Sequence, residues 1–216
     1  MAHCGDSVLF DSGGAPLSTT ALNLFRERHG DLREGYGLTE TASLTHFDTE
    51  GSERSIGTVG GPMPNVKVRF THKQSTTRLE LSSPNAGRRL LVSGEVMPPG
   101  DWLNTGDNAI IDQEGRLRIL GRSDDARIQG LWPRDTLDAI GPILGSRCAL
   151  VQHPSESSVQ ISLLSDLSVD EQGRLLKAVS NIFCTDRLNV AVRGRTSIIA
   201  SRKLARQPMS DGQQES

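Results

Sequence analysis

The chain has 216 residues, enough for one large domain or two small ones, each able to bury a core. With 24 Lys+Arg against 26 Asp+Glu and a formal net charge of -2 it carries no basic field, so charge gives no argument for a nucleic-acid or anionic-membrane partner. Hydrophobic residues make up 35% and aromatic residues only 4%, thin for a self-sufficient fold and a hint of apolar faces that meet a partner. Cys4, Cys148 and Cys184 are odd in number, far apart and without metal-ligand spacing, so reduced thiols and a cytoplasmic location are expected. No apolar run approaches membrane-spanning length, and the N-terminus lacks a charged-then-apolar signal pattern.

In chain order, Val8-Leu9-Phe10 reads as a short buried strand running into the small-residue turn Ser12-Gly13-Gly14-Ala15-Pro16-Leu17-Ser18. A helix follows, with Ser18 as N-cap, Ala21, Leu22 and Phe25 on its apolar face and Gly30 as its stop. Glu34-Gly35-Tyr36-Gly37-Leu38-Thr39-Glu40-Thr41 opens as an exposed turn and ends on a polar pair. The glycine-rich residues 55–62 read as a loop feeding a strand at 66–70, with weaker strand patterns at 78–81 and 89–92. Trp102-Leu103-Asn104-Thr105-Gly106-Asp107 leads into a hairpin, 109–111 against 117–120, across the turn Asp112-Gln113-Glu114-Gly115. Beyond Asp124 the pattern changes: a helix over 135–140, strands at 148–151 and 159–164, and a last strand at 189–192. Between these strands a second helix starts at Ser168, with Glu171 closing a capping box and Leu175, Leu176, Val179 and Phe183 on its apolar face. The expected fold class is α+β: a β-rich unit over 1–123, a small α+β unit over 124–206 and a disordered tail over 207–216.

The stretch around Tyr36 has the parts of a nucleotide site. Glycines let backbone approach a ligand closely, a tyrosine offers a flat face to a base, a threonine offers a hydroxyl to a phosphate and a glutamate offers a hard oxygen to Mg²⁺. Six such residues occur by chance in turns, so their company decides the reading. Four motifs line up: Ser12-Gly13-Gly14-Ala15-Pro16-Leu17, Tyr36-Gly37-Leu38-Thr39-Glu40, Trp102-Leu103-Asn104-Thr105-Gly106-Asp107 and Gly121-Arg122-Ser123-Asp124-Asp125. In this order they resemble the C-terminal portion of the adenylate-forming superfamily, which includes acyl- and aryl-CoA synthetases, peptide-synthetase adenylation domains and luciferase. Residues 56–70 are similar to that family's G-x-x-G-x-P-x-P loop and strand.

The resemblance implies a role for each matched residue. Gly13, Gly14 and Ala15 would line the adenine and acyl pocket; Tyr36 would stack on adenine, with Gly37 in the same nucleotide-binding set. Thr39 would bind the α-phosphate, and Glu40 would hold Mg²⁺ beside ATP or AMP. Asp107 would take both ribose hydroxyls, as a carboxylate can accept two hydrogen bonds at once, and Arg122 would contact ribose or phosphate. Asp124 matches the hinge about which the family's small domain rotates. The plainer alternatives make Asp107 the cap of a turn and Arg122 with Asp124 a surface ion pair. Residues 199–206 resemble the family's G-K-x-x-R segment, with Lys203 at the catalytic lysine and Arg202 in place of the glycine. A mobile ammonium there would stabilise charge accumulating on the α-phosphate; a solvated surface lysine is the alternative.

The sequence also departs from the pattern. No Ser/Thr/Gly-rich loop with a lysine occurs that would cradle β,γ-phosphates, and residues 68–102 lack the usual G-E-L and G-Y motifs. Gln129-Gly130-Leu131-Trp132-Pro133 is shorter than the loop that presents a thiol acceptor in the family. The expected partners are a small carboxylic acid or acyl group, a second chain or second copy supplying the missing half, and a carrier protein or CoA. Two readings stand: a truncated or split acid–AMP ligase, or a remnant that binds or transfers acyl groups without using ATP.

Overall fold

The computed structural model describes residues 9–49, 56–73, 76–87, 90–92, 95–97, 101–147, 149–163, 165, 167–184 and 189–193. Strand β1 (Phe10–Gly13) and strand β2 (Leu32–Leu38) lie parallel, Phe10 opposite Leu32 and Gly13 opposite Gly35, with helix α1 (Thr19–His29) as the crossover. Ser18 caps α1 as expected, its Oγ accepting from the Ala21 N–H at 3.1 Å, and Gly30 ends the helix at φ 96°. Arg26 in the last turn donates to the Leu32 carbonyl from Nε at 3.1 Å and Nη2 at 2.9 Å, tying the helix end to the start of β2. A 3-10 turn, Thr39–Thr41, leads into β3 (Ser43–Phe47) and then β4 (Gly61–Pro62), giving a four-stranded sheet of order β1-β2-β3-β4.

Two expectations change here. The first strand starts at Phe10 and runs into the small-residue segment, while Val8 lies outside the described residues. The stretch from Glu34 to Leu38 is strand, not an exposed turn: Leu32 and Glu34 are buried. Its glycine serves close strand packing, since a Cβ on Gly35 would sit 2.6 Å from Leu44 Cδ1.

The second sheet is antiparallel. Strands β5 (Lys67–Lys73) and β6 (Thr76–Ser82) are followed by the short pair β7 (Leu90–Val92) and β8 (Glu95–Met97), then β9 (Leu103–Ile111) and β10 (Leu117–Arg122). The sheet order is β10-β9-β6-β5, with β7 and β8 paired apart from it. Val59, Leu79, Leu81, Ala109 and Leu117 form its core, and Tyr36 packs against that cluster. The expected hairpin turn is fixed by Asp112, whose Oδ1 accepts from the Glu114 and Arg116 N–H groups at 3.0 and 2.8 Å.

The C-terminal unit contains α2 (Pro133–Leu144), β11 (Ala149–Ser155), β12 (Ser158–Leu163), α3 (Val169–Ile182) and β13 (Asn189–Arg193), with strand order β11-β12-β13. Helix α2 outruns the expected 135–140 at both ends. Pro133 suits a first turn whose N–H would be unsatisfied anyway, and Asp135 Oδ2 accepts from the Trp132 N–H at 3.0 Å. The Ser168–Glu171 capping box forms as read: Ser168 Oγ accepts from the Glu171 N–H at 3.3 Å, and Glu171 Oε2 accepts from the Ser168 N–H at 2.9 Å. Leu137, Ile140, Val159, Ile161, Leu175, Val179 and Phe183 bury together as this unit's core.

Helix α2 also seats the unit against the rest of the chain. Asp138 Oδ1 accepts from Thr19 N and Oγ1 at 3.0 and 3.1 Å, at the first turn of α1. Arg134 donates from Nε to Asp138 Oδ2 at 3.0 Å and places Nη1 3.7 Å from Glu34 Oε1 in β2. Arg118 on β10 pairs with Asp135 at 3.0 Å. Between β1 and α1 lies a groove of about 370 Å³ lined by Phe10, Leu17, Ala21, Leu24, Phe25, Leu32 and their polar neighbours.

Candidate functional site

Tyr36 comes from β2, Asp107 from β9 and Arg122 from the end of β10, and the fold brings all three together. Asp107 is buried at 5% exposure. The Tyr36 hydroxyl donates to Asp107 Oδ2 at 2.6 Å, and Arg122 Nη1 donates to Asp107 Oδ1 at 2.7 Å and to the Thr105 carbonyl at 3.2 Å. Thr105 braces the centre twice: its hydroxyl accepts from the Asp107 N–H at 3.1 Å and donates to the Leu79 carbonyl at 2.9 Å. Gly106 lies at φ 71°, and a Cβ there would stand 2.7 Å from Arg122 Nη2, so the glycine gives the guanidinium its place over the strand. Asp107 and Arg122 are direct cross-strand partners. Asp107 is therefore no turn cap, and Arg122 spends its guanidinium on Asp107 and not on a surface pair with Asp124.

Burial pushes the Asp107 carboxyl upward, while the Arg122 charge and the hydrogen bonds from Tyr36 and Arg122 hold it back. Burial and the Asp107 charge together push the Tyr36 hydroxyl well above its ordinary range, so it stays a donor. The partly exposed Arg122 closes the cluster on its solvent side, with its main chain held by Asn108 Nδ2 on its carbonyl at 2.9 Å.

The other expected residues lie around this cluster to different degrees. Gly13 faces Gly35 across the parallel pair, and Gly13, Gly14 and Ala15 are exposed where β1 ends; Gly14 has φ 80°. They leave the pair at the end from which Tyr36 and Gly37 also continue, the end where parallel strands commonly hold ligands. Thr39 is exposed at the start of the 3-10 turn. That turn depends on Thr41, whose hydroxyl accepts from the Leu38 N–H at 3.1 Å and donates to the Leu38 carbonyl at 3.0 Å. The Glu40 carbonyl accepts from the Gly87 N–H at 2.7 Å, and its Oε2 is buried without a hydrogen-bond partner. One orphaned carboxylate oxygen fits a hard cation such as Mg²⁺. No group of three or more His, Cys, Asp or Glu that could hold a metal occurs among the described residues, so phosphate oxygens and water would complete the shell. Lys203 lies outside the described residues.

Several residues that the motifs did not single out organise the surroundings. Asp124 is exposed in the turn after β10, but its neighbour Asp125 does the holding. Asp125 Oδ2 accepts from the Arg122 N–H at 2.7 Å and Oδ1 from the His153 N–H at 2.9 Å, and burial raises its carboxyl to about 6 against those hydrogen bonds. The buried His153 ring meets Thr136 Oγ1 at 3.0 Å and the Ala126 carbonyl at 3.2 Å, and burial lowers it to about 4. Glu34, beside the Tyr36 motif, turns away from it toward Arg134; burial raises its carboxyl while Arg134 opposes the shift. The Arg134–Asp138 pair has the i,i+4 spacing of a helical ion pair, but the helix was expected only from 135, which left Arg134 outside it.

Comparison with known proteins follows the same lines. Residues 5–98 match the family model described as AMP-binding enzyme. A marinolic acid–CoA ligase from Pseudoalteromonas sp. is 30% identical over 146 residues, 59% of this chain and 22% of the ligase. The 4-coumarate–CoA ligase-like 4 of Oryza sativa subsp. japonica is 30% identical over 177 residues, 74% of this chain and 30% of that protein. The chain thus spans less than a third of the length of these curated relatives. Among solved structures, the O-succinylbenzoate coenzyme A synthetase of Bacillus subtilis in complex with AMP gives a TM-score of 0.63 at 20% identity, covering 95% of this chain and 46% of that one. An anthranilate CoA ligase in complex with anthranoyl-AMP gives 0.62 at 19% identity, covering 86% of this chain and 40% of the other. At such identities the likeness is one of fold. No helix among the described residues is long and apolar enough to cross a membrane.

Proposed function

Because the chain belongs to the adenylate-forming superfamily of AMP-binding enzymes, we propose that it works as part of an AMP-forming carboxylic acid ligase, with a partner chain that carries the phosphate loop. The observation that carries this reading is the buried Asp107, set between Tyr36 and Arg122 with lone pairs left for a vicinal diol. In the proposed reaction a carboxylate oxygen of an acyl or aryl acid attacks the α-phosphorus of ATP. An acyl–phosphate bond forms, the bond to the β-phosphate oxygen breaks, and pyrophosphate leaves. Asp107 and Arg122 hold the ribose, and the Tyr36 ring and residues 13–15 and 37 flank the base. The Thr39 hydroxyl addresses the α-phosphate. Mg²⁺ held through Glu40 would neutralise phosphate charge when bound, and Lys203 would stabilise charge building on the α-phosphate. CoA is the acceptor that the relatives' names suggest, with a carrier protein as the other candidate, while the short loop at 129–133 argues against thiol transfer by this chain alone; the odd set of cysteines fits a reducing cytoplasm.

A second reading rests on one sequence fact: no phosphate-cradling loop occurs within the 216 residues. In that reading the chain binds an adenylate or acyl group as a scaffold or ATP-independent transferase. Calorimetry and carboxylate-dependent ATP–pyrophosphate exchange separate the two. The isolated chain is expected to bind AMP at least as tightly as ATP and to be nearly silent in exchange. A partner carrying the rest of the relatives' length should restore exchange. In that complex Lys203→Ala should slow exchange on the order of hundreds-fold and leave AMP affinity almost unchanged, as expected of a group acting on developing charge. No restoration by any partner would favour the second reading; robust exchange by the isolated chain would overturn both.

A further inference from the structure

Resting on the nucleotide reading above, we infer that the Tyr36 hydroxyl is a positioning residue that sets the site's selectivity for ribose over deoxyribose. A base-stacking role would need only the ring. The structure instead spends the phenol on the carboxylate: Tyr36 donates to Asp107 Oδ2 at 2.6 Å from a ring packed against the β-sheet core. A carboxylate oxygen can accept two hydrogen bonds. With one place on Oδ2 taken by Tyr36 and one on Oδ1 taken by Arg122, each oxygen keeps one place, which matches two adjacent hydroxyls.

The two donors differ in kind. Arg122 is half exposed and reaches Asp107 from the rim, so a ligand can displace or share it. Tyr36 belongs to a strand whose carbonyl at that residue is itself held by the Thr45 hydroxyl at 3.1 Å, so its bond fixes the carboxylate plane before any ligand arrives. The hydroxyl also guards the charge state. Burial alone drives Asp107 toward its neutral form, which would donate through one oxygen and serve a diol less well; the charged and titratable groups facing it are Arg122, Tyr36 and, from the turn, Asp124, with the Thr105 hydroxyl facing the phenol. A site built in this way penalises a sugar that lacks a hydroxyl, because a buried acceptor is then left unpaired.

Tyr36 is the chain's single tyrosine, so near-ultraviolet titration at alkaline pH reads it alone. In the ligand-free chain the phenol is expected to resist ionisation past its ordinary 10.0, and Asp107→Asn to bring ionisation back toward that value. In the second arm, AMP, 2′-deoxy-AMP and 3′-deoxy-AMP are titrated into the unmodified chain and Tyr36→Phe, with thermal melts confirming that both are folded. The unmodified chain should prefer AMP by about tenfold or more, and Tyr36→Phe should lose most of that preference by weakening AMP and not the deoxy nucleotides. Its AMP binding should also fade at a higher pH on acidification, as Asp107 protonates sooner. An unchanged AMP preference in a folded Tyr36→Phe, or ordinary titration of Tyr36 in the unmodified chain, would overturn the inference. Failure of the unmodified chain to bind any of the three would instead count against the nucleotide site, and the selectivity would fall with it.

Discussion

Asp125 joins the candidate site to the C-terminal unit with one side chain, accepting from Arg122 on one oxygen and from His153 on the other. Its titration has a definite sign. The folded carboxyl sits at about 6 against an ordinary 3.8, so the folded state binds the extra proton in that window and this residue's contribution falls as pH rises through it. His153 acts the other way: held at about 4 against 6.5, it favours the folded state at higher pH and loses that contribution on acidification. The two slopes offset each other where the windows overlap. Asp125→Asn should therefore make the stability of the chain rise more steeply with pH across that overlap, by as much as one proton in the linkage slope, in chemical denaturation followed over pH. An unchanged slope would show that Asp125 does not carry the proton. At this scale the sequence was readable where a residue meets a ligand-shaped motif: Tyr36, Asp107 and Arg122 converge. It was not readable where a side chain meets backbone N–H groups across the fold. Nothing in the doublet Asp124-Asp125 says which carboxylate turns inward.

Among elements, the helices were legible because their caps are local. Ser18, and Ser168 with Glu171, satisfy orphan N–H groups within one turn, a pattern that survives without knowledge of the tertiary structure. Strand β3 escaped notice for the opposite reason. Its buried positions Thr45 and His46 are polar, at 0% and 1% exposure, so no apolar alternation marks it. Burial lowers the His46 ring to about 4, which keeps it neutral beside the Thr45 hydroxyl at 3.2 Å. Gly35 misled in another way: read as part of an exposed turn, it serves instead as the gap in β2 into which Leu44 and Phe47 of the neighbouring strand fit. Helix α2 was underestimated because its N-cap, Trp132, offers no side-chain acceptor and Gly141-Pro142 reads as a stop, although the helix runs through it to Leu144.

Among the described residues, two hydrophobic clusters are joined by a polar seam. One core lies under the antiparallel sheet and the other around α2, α3 and β11–β13, while the contact between units runs through Glu34, Arg134, Asp138, Thr19 and Arg118. Charged seams of this kind hold a single arrangement at modest net gain, since desolvation offsets most of the attraction. Limited proteolysis is expected to cut first between Asp124 and Gly130, in the proposed hinge, and to release an α+β fragment. Arg134→Ala should speed that cut, because it removes the ion-pair partner of the buried Glu34 and leaves only the weaker pull of Arg26, a loss of up to about 3–5 kcal/mol. Cleavage that begins elsewhere would argue for one fused unit.

Strand β1 ends its sheet, pairing with β2 on one side only among the described residues, and it does so beside an apolar groove with Leu9 47% exposed. An unpaired strand edge next to oily surface is a template for self-association, so the purified chain should be prone to concentration-dependent clumping. A lysine at the strand's entrance is a common natural remedy against such stacking. Leu9→Lys should therefore lower light scattering on concentration and leave the melting temperature nearly unchanged, and equal scattering from both forms would place the sticky surface elsewhere.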